Sequence, residues 1–476
     1  MYYSSQQTLD RDIFKYKFLG KHRDIMVGFL ENKNQKDLFR PQLVDFIDKG
    51  HELVLLADAI DWKHFEEAFA PFYSKRGAPS VPIRLMVGCL ILKQMYNLGD
   101  DSFPQQWVSN PYFQYFCGYG CFEHKFPFDP TDFVHFRKRV GEKGFNIIFA
   151  YSVKIHGEDV NKNSKFVLSD TTVQGNNVTF PTDAKLFKKS IDKCNKIADN
   201  EGIKLRLKHK KKSKQLLRAS YVGKDKDVAK PERIKKATAA QEELRTIAKQ
   251  QIKELERKLT PSQREQYKEI LAILKKVVTQ TKNDKDKIYS IHKPHTECIA
   301  KGKAHKKYEF GNKIGLITTG NKGMKIITAI LDFQKNPYDG HTIAPLLNQM
   351  ESNGLEKPEE LAYDRGGQGA EIVGGVKIII PSKPKATDSQ YERNKKKAKC
   401  CARAAIEPII GHLKTDLRMG ENYLHGEKGV IINVLLSASA WNFKKMMQKL
   451  KEKFLWLFLR GGFLGVVRVF LCPKFK

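Results

Sequence analysis

The sequence predicts an α/β fold in which a domain of strands and helices follows an N-terminal helical domain. Three observations carry this expectation. Short apolar runs stop at acids, as Phe166, Val167 and Leu168 do before Ser169-Asp170, and Leu361, Ala362 and Tyr363 before Asp364. Apolar residues over 43–144 recur at helical spacing. A lysine-rich helical stretch separates the first apolar run from the next. At 476 residues the chain is longer than one core needs, so two or three units are expected.

In the first unit, 1–150, Ile83, Val87, Leu90 and Ile91 mark a helix, and Asn110-Pro111 and Asp129-Pro130 mark breaks. Its last segment, 132–139, reads as a short helix capped by Thr131 or Asp132. It carries Arg137, Lys138 and Arg139 beside His135, a set suited either to DNA phosphates or to a solvated face.

The second unit, 165–446, opens with a short strand ending at Asp170. The helical insertion expected at about 184–287 places Leu244, Ala248, Ile252, Leu255 and Leu259 on one stripe. After Pro261, a second stripe holds Ile270, Leu274 and Val277, a pattern for two antiparallel helices. Lys208, Lys210, Lys211 and Lys212 form a charge block that reads as a DNA-backbone contact over a disordered tether. A hairpin follows at 314–318 and 326–333, then a helix near 342–349. Strands before Asp364 and at 376–380 precede a helix over 402–415 that carries Glu407. The remainder, 447–476, is a basic and apolar tail whose Arg460, Arg468 and Gly461-Gly462 disfavour a membrane span.

Lysine and arginine total 85 against 53 acids, a formal net charge of +32. Such a charge repels itself unless a polyanion neutralises it, and the bases are spread along the whole chain, so nucleic acid is favoured over lipid. Eight cysteines show no ladder of spacings, which fits a reducing cytoplasm; Cys117 and Cys121 lack a second pair at zinc-finger spacing and read as buried thiols. The first ten residues lack the apolar core of a signal peptide. A cytoplasmic, nucleoid-associated protein is therefore expected.

Two strand-ending acids, Asp170 and Asp364, would meet at one end of a sheet if their strands are neighbours. Each alone also fits a turn or cap. Arg403, Glu407 and Lys414, spaced by four and seven, would share one face of a single helix, suiting either a metal site with phosphate clamps or an intrahelical ion pair. Transfer of a phosphodiester needs in-line attack and charge relief on the leaving oxygen, tasks for two hard cations held by a few carboxylates.

Arg403-x3-Glu407-x6-Lys414, followed by Leu417-Arg418-Met419 and Asn422-Tyr423-Leu424, resembles the third-acid signature of DDE transposases of bacterial insertion sequences. Ser169-Asp170-Thr171-Thr172-Val173 and Ala362-Tyr363-Asp364-Arg365-Gly366 resemble the first two acid blocks. The loop 336–342 resembles a loop of the same family, the likeness extends from Ile432-Asn433 to Trp441-Asn442-Phe443, and the nearest branch is the insertion-sequence-5 group. The resemblance implies an RNase H-like catalytic domain and strand cleavage and transfer on double-stranded DNA, at element ends and target. It also implies Asp170, Asp364 and Glu407 as catalytic metal ligands for two Mg²⁺ or Mn²⁺ ions, Arg403 and Lys414 as DNA contacts, and a dimer on DNA. Cys400 stands where the family often has tyrosine, which would remove a phosphate or stacking contact, and Tyr391 upstream is the one candidate to compensate. A silent DNA-binding derivative and a nuclease on the same fold are the alternatives, whereas a serine or tyrosine recombinase lacks a nucleophile context. His292, His295 and His305 read as loop or DNA contacts, and the glycines at 366, 367 and 369 as a flexible turn.

Overall fold

The computed structural model describes residues 28, 41–74, 76, 79–221, 230–300, 307–321, 323–364, 369, 371–380, 385 and 387–470. His305 and the turn at 365–368 lie outside the described residues.

Eight helices come first: α1 Leu43–Phe46, α2 Glu52–Ala59, α3 Trp62–Phe69, α4 Ile83–Met95, α5 Phe103–Ser109, α6 Pro111–Phe116, α7 Thr131–Lys154 and α8 Glu158–Asn163. α4 is buried on all sides, which explains why its sequence is apolar almost throughout. The expected cap of α7 is corrected. The Asp129 carboxylate, two residues before the helix starts, accepts from Thr131 N–H at 2.8 Å, and neither Thr131 nor Asp132 caps the helix. α7 also runs past 139, kinking at Gly141, whose φ of 52° admits glycine without strain.

Strand β1, Phe166–Asn176, is longer than the three apolar residues predicted. It continues through Asp170 because β3 pairs with it from Val167↔Thr319 to Gly175↔Gly311. Five helices follow, α9 Asp183–Asn200, α10 Lys210–Ala219, α11 Lys230–Lys258, α12 Pro261–Gln266 and α13 Lys268–Thr279. They bury their own core, with Leu186, Ile191, Leu244, Ile252, Leu255 and Leu274 among its members. Arg245 Nε donates to Val278 O at 2.8 Å while Lys275 meets Glu256 at 2.6 Å, so α13 runs back along α11.

The chain then adds β2 Glu297–Ala300, β3 Tyr308–Thr319, β4 Ile327–Phe333, α14 Ile343–Ser352, β5 Glu360–Ala362, β6 Ile372–Val373 and β7 Val376–Ile379. Last come α15 Gln390–Ala404, α16 Ile406–Thr415, β8 Glu421–Asn422 and α17 Lys428–Phe470. The sheet is mixed. β3 is antiparallel to β1, β2 and β4, whereas β5 runs parallel to both β1 and β7.

Side chains alternate across the sheet, so its two faces have different covers. Val167, Ile317 and Ala329 pack on Ile343, Leu346 and Met350 of α14. Leu168, Ile314, Leu316 and Ile330 face the other way and join Ile406, Ile409 and Leu413 of α16, much of α17 and the N-terminal helices in one apolar cluster. Gln94 of α4 stitches that junction, donating to Leu417 O at 2.8 Å and Ser437 Oγ at 2.9 Å. The boundary expected at 446/447 falls inside α17. No helix among the described residues is long and apolar enough to cross a membrane.

Candidate active site at the edge of the parallel pairing

The parallel pairing of β1 with β5 ends at Leu168↔Ala362. Asp170 and Asp364 each stand two residues beyond that last pair, so the strands deliver both acids to one end of the sheet. β1 itself does not stop there; β5 does. Behind them Tyr363 is fully buried, and its hydroxyl donates to Asp339 O at 3.3 Å and meets Thr342 Oγ1 at 3.3 Å. Burial pushes the Tyr363 phenol up, and the nearby carboxylates of Asp339, Asp170 and Asp364 push it further.

α16 brings the third acid. Ile406, Ile409 and Leu413 bury one stripe of the helix against the sheet and α17, leaving Glu407 beside that stripe at the open edge. The single helix expected over 402–415 is corrected to two, which meet at Ala405. Pro408 is the cause: it has no N–H to give the Ala404 carbonyl, and its ring crowds that oxygen. Ala405 N–H bonds instead to Ala402 O at 3.2 Å, a tightened turn. Arg403 thus closes α15 while Glu407 and Lys414 ride on α16.

All three acids converge on Arg403. Its Nη2 lies 3.7 Å from Asp170 Oδ2 and 3.9 Å from Asp364 Oδ2, and its Nη1 lies 3.8 Å from Glu407 Oε1. These are charge contacts, too long for hydrogen bonds. The site opens outward across its members, for the side chain of Asp170 is 14% exposed, that of Asp364 35% and that of Glu407 64%.

The donor set suits a hard divalent cation, being three carboxylates around a point where positive charge is already required. As the side chains stand, no group of three His, Cys, Asp or Glu among the described residues is close enough to hold an ion. The acids are gathered, yet they are spread around a guanidinium. Lys414 lies farther along α16, half-buried, and its carbonyl accepts from Gly420 N–H at 3.1 Å, an approach that a Cβ at Gly420 would obstruct. Cys400 is half-buried on α15 and Tyr391 is exposed. At about 1.5 Å per residue the tyrosine lies roughly 13 Å away along the helix, so its ring does not occupy the Cys400 position.

The sequence reading missed the support of the loop 336–342. Lys313 Nζ donates to Asp339 Oδ1 at 2.7 Å, and Thr171 Oγ1 donates to the same oxygen at 3.1 Å, pinning the loop beside β1 next to Asp170. Thr171 and Lys313 lie on the sheet face opposite Asp170, a placement that only strand register reveals.

The basic residues divide. Arg137, expected to face DNA, is buried; its guanidinium donates to Asp100 at 3.2 and 2.5 Å, and Lys93 reaches the same carboxylate at 2.5 Å. Lys138 is exposed, and Arg139 lies over the Tyr73 ring at 4.8 Å. Lys208, in the connection before α10, pairs with Asp199 at 2.5 Å, and on α10 Lys210 meets Asp199 at 3.9 Å and Lys212 meets Glu243 at 2.5 Å, all at the surface, where such pairs are weak. Lys211 joins Lys188, Lys196, Lys210 and Lys214 along a groove between α9 and α10. Cys117 faces Cys89 at 3.6 Å in the core, as a buried thiol.

The sheet order and the gathered acids define a mixed α/β domain of the kind that DDE transposases carry. Residues 41–139 match the family described as a transposase domain (DUF772), and residues 278–443 match the transposase DDE domain. The chain belongs to the DDE transposases of insertion sequences. Asp364 and Glu407 fall within the second match, and Asp170 precedes it. A curated relative, the uncharacterized protein ORF8 in the nfe locus of Rhizobium meliloti, is 36% identical over 187 residues, which is 39% of this chain and 90% of the relative. No solved structure matches the chain.

Proposed function

We propose that this transposase, of the insertion-sequence-5 branch, binds the ends of its mobile element, cuts phosphodiester bonds there and joins them to target DNA, with Asp170, Asp364 and Glu407 as the catalytic acids. The observation that carries this reading is the convergence of the three acids on Arg403 at 3.7–3.9 Å. The acids would hold two divalent cations, Mg²⁺ or Mn²⁺, which when bound supply activation of the attacking oxygen and charge relief on the leaving one.

The chain's own residues do the rest. Arg403 and Lys414 bind the phosphate beside the scissile bond, and the loop held by Lys313 and Asp339 keeps Asp170 in place. The lysine-rich helices α9–α13, read as an insertion in the catalytic domain, grip the DNA backbone through Lys208, Lys210, Lys211 and Lys212, and Lys138 and Arg139 of the helical domain add to that hold. Two ends must be brought together, which makes a dimer on DNA the working assembly, acting on the nucleoid.

The test is a Mg²⁺- or Mn²⁺-dependent cleavage and joining assay on DNA carrying the element ends. Wild type should give joined products, while Asp170→Asn, Asp364→Asn and Glu407→Gln should each bind DNA and produce none. Activity surviving in any of these variants would overturn the site assignment. Binding without cutting by wild type would favour a silent derivative, and cutting without joining a nuclease.

A further inference from the structure

Two arginines of this chain meet acids in opposite ways. Arg137 grips one carboxylate with both terminal nitrogens at hydrogen-bond distance and is itself buried, its partner half-buried, an arrangement built to stay. Arg403 faces three carboxylates and makes a hydrogen bond to none of them; its Nε is buried without a hydrogen-bond partner among the described residues, and its side chain is 26% exposed. Three like charges gathered at one sheet end repel one another. A central cation relieves that repulsion, but at 3.7–3.9 Å without directed bonds it does so loosely.

We propose that Arg403 is the exchangeable counter-ion of the acid site in the DNA-free protein, and that its release to a DNA phosphate is what opens the three acids to divalent cations, so that DNA and metal load cooperatively. This rests on the acid site proposed above. The geometry gives the reason for exchange rather than addition. Arg403 stands between the three acids, which as the side chains lie form no group that could hold an ion. A second cation brought in beside the guanidinium would be repelled by it.

A DNA phosphate can offer the planar guanidinium fork of Arg403 two non-bridging oxygens at hydrogen-bond distance, which the acids, at 3.7–3.9 Å, do not. Its position on the last turn of α15, just before the break at Pro408, lets the side chain turn toward the open edge marked by Glu407 without moving α16, which is anchored by Ile406, Ile409 and Leu413. Because coupling between two binding events is reciprocal, DNA raises metal affinity by the factor by which metal raises DNA affinity. The protein therefore holds its cutting site poorly charged with metal until a substrate backbone lies across it.

The experiment is calorimetric titration of the full chain with Mn²⁺ alone, and again with a saturating uncleaved duplex carrying the element end, for wild type, Arg403→Gln, Arg403→Lys and Asp170→Asn. Without DNA, Arg403→Gln should bind Mn²⁺ at least about fivefold more tightly than wild type, the low end of typical couplings between sites. Arg403→Lys, which keeps the charge, should not. The duplex should tighten Mn²⁺ binding to wild type by a similar factor and leave Arg403→Gln unchanged. Equal or weaker Mn²⁺ affinity in Arg403→Gln, with its far-ultraviolet circular dichroism and melting cooperativity intact, overturns the proposal. If Asp170→Asn loses Mn²⁺ binding in the same series, the acid site itself stands and only the exchange fails. If Asp170→Asn binds as wild type does, the acid site is what has failed.

Discussion

Asn442 of α17 pairs its side-chain amide with both backbone groups of Ile327, accepting from the N–H at 3.0 Å and donating to the carbonyl at 2.9 Å. The same amide also donates to Ser152 Oγ of α7 at 3.1 Å, and the Asn442 carbonyl meets His156 Nε2 at 3.0 Å. One buried residue thus ties the long C-terminal helix, the start of β4 and the helical domain together.

Asn442→Leu should therefore destabilise the protein by about 2–4 kcal/mol, because the Ile327 N–H and carbonyl would be left buried and unpaired. Urea unfolding followed by circular dichroism checks this. A loss below about 1 kcal/mol would mean that water replaces the amide.

Buried Lys93 and Arg137 meet half-buried Asp100 in one charge cluster, so Arg137→Ala should act on stability and not on DNA affinity measured with folded protein. The expected loss is about 1–3 kcal/mol, because Asp100 loses one partner and keeps Lys93 as the other. Burial by itself would push the Asp100 carboxyl up, but Lys93 and Arg137 outweigh it and hold it down at about 2. A depressed carboxylate contributes stability that is present above its unfolded pKa, near 4, and lost as pH falls toward 2. Unfolding midpoints of wild type should fall through that window, and those of Asp100→Asn should change less.

Asp332, on the sheet face that also carries Asn312, is titrated in the opposite sense. Burial, with Glu427 and Glu142 nearby, raises its carboxyl to about 7 despite a bond from Asn312 Nδ2 at 3.3 Å. A raised pKa means that the folded state keeps its proton longer than the unfolded one, so stability is full below about pH 4 and declines as pH rises through 7. Asp332→Asn should be the more stable protein at pH 8, by a few kcal/mol at most, and should converge with wild type near pH 4. A midpoint difference independent of pH would refute the assignment.

Exposed lysines should show themselves in the salt dependence of DNA binding. If Lys211 and Lys138 each touch one phosphate, each alanine variant should lower the slope of log K against log salt by about 0.9. Fluorescence anisotropy on a labelled duplex between low and moderate salt measures it. An unchanged slope removes that lysine from the interface.

The amino-acid sequence by itself determined the helical texture of 43–144, the hairpin of β3 and β4, and the apolar run leading into each of the first two acids, because these are written in spacing and in local turn chemistry. Pro408 was also legible as a helix interrupter and would have corrected the single helix assumed for Arg403, Glu407 and Lys414. Other features had no local signal. β1 extends through Asp170 to Asn176 because β3 supplies partners for its backbone, although the side chains there are mostly polar. Arg137 and Lys138 are neighbours in a basic run, yet one is buried against Asp100 and the other faces solvent, since the helix turns them to different surroundings. Above all, tertiary structure decided that Asp170, Asp364 and Glu407 meet around Arg403. Spacing along a chain assigns a residue to a face, but which distant charge stands opposite that face is settled only when strand register and helix docking bring separate segments together.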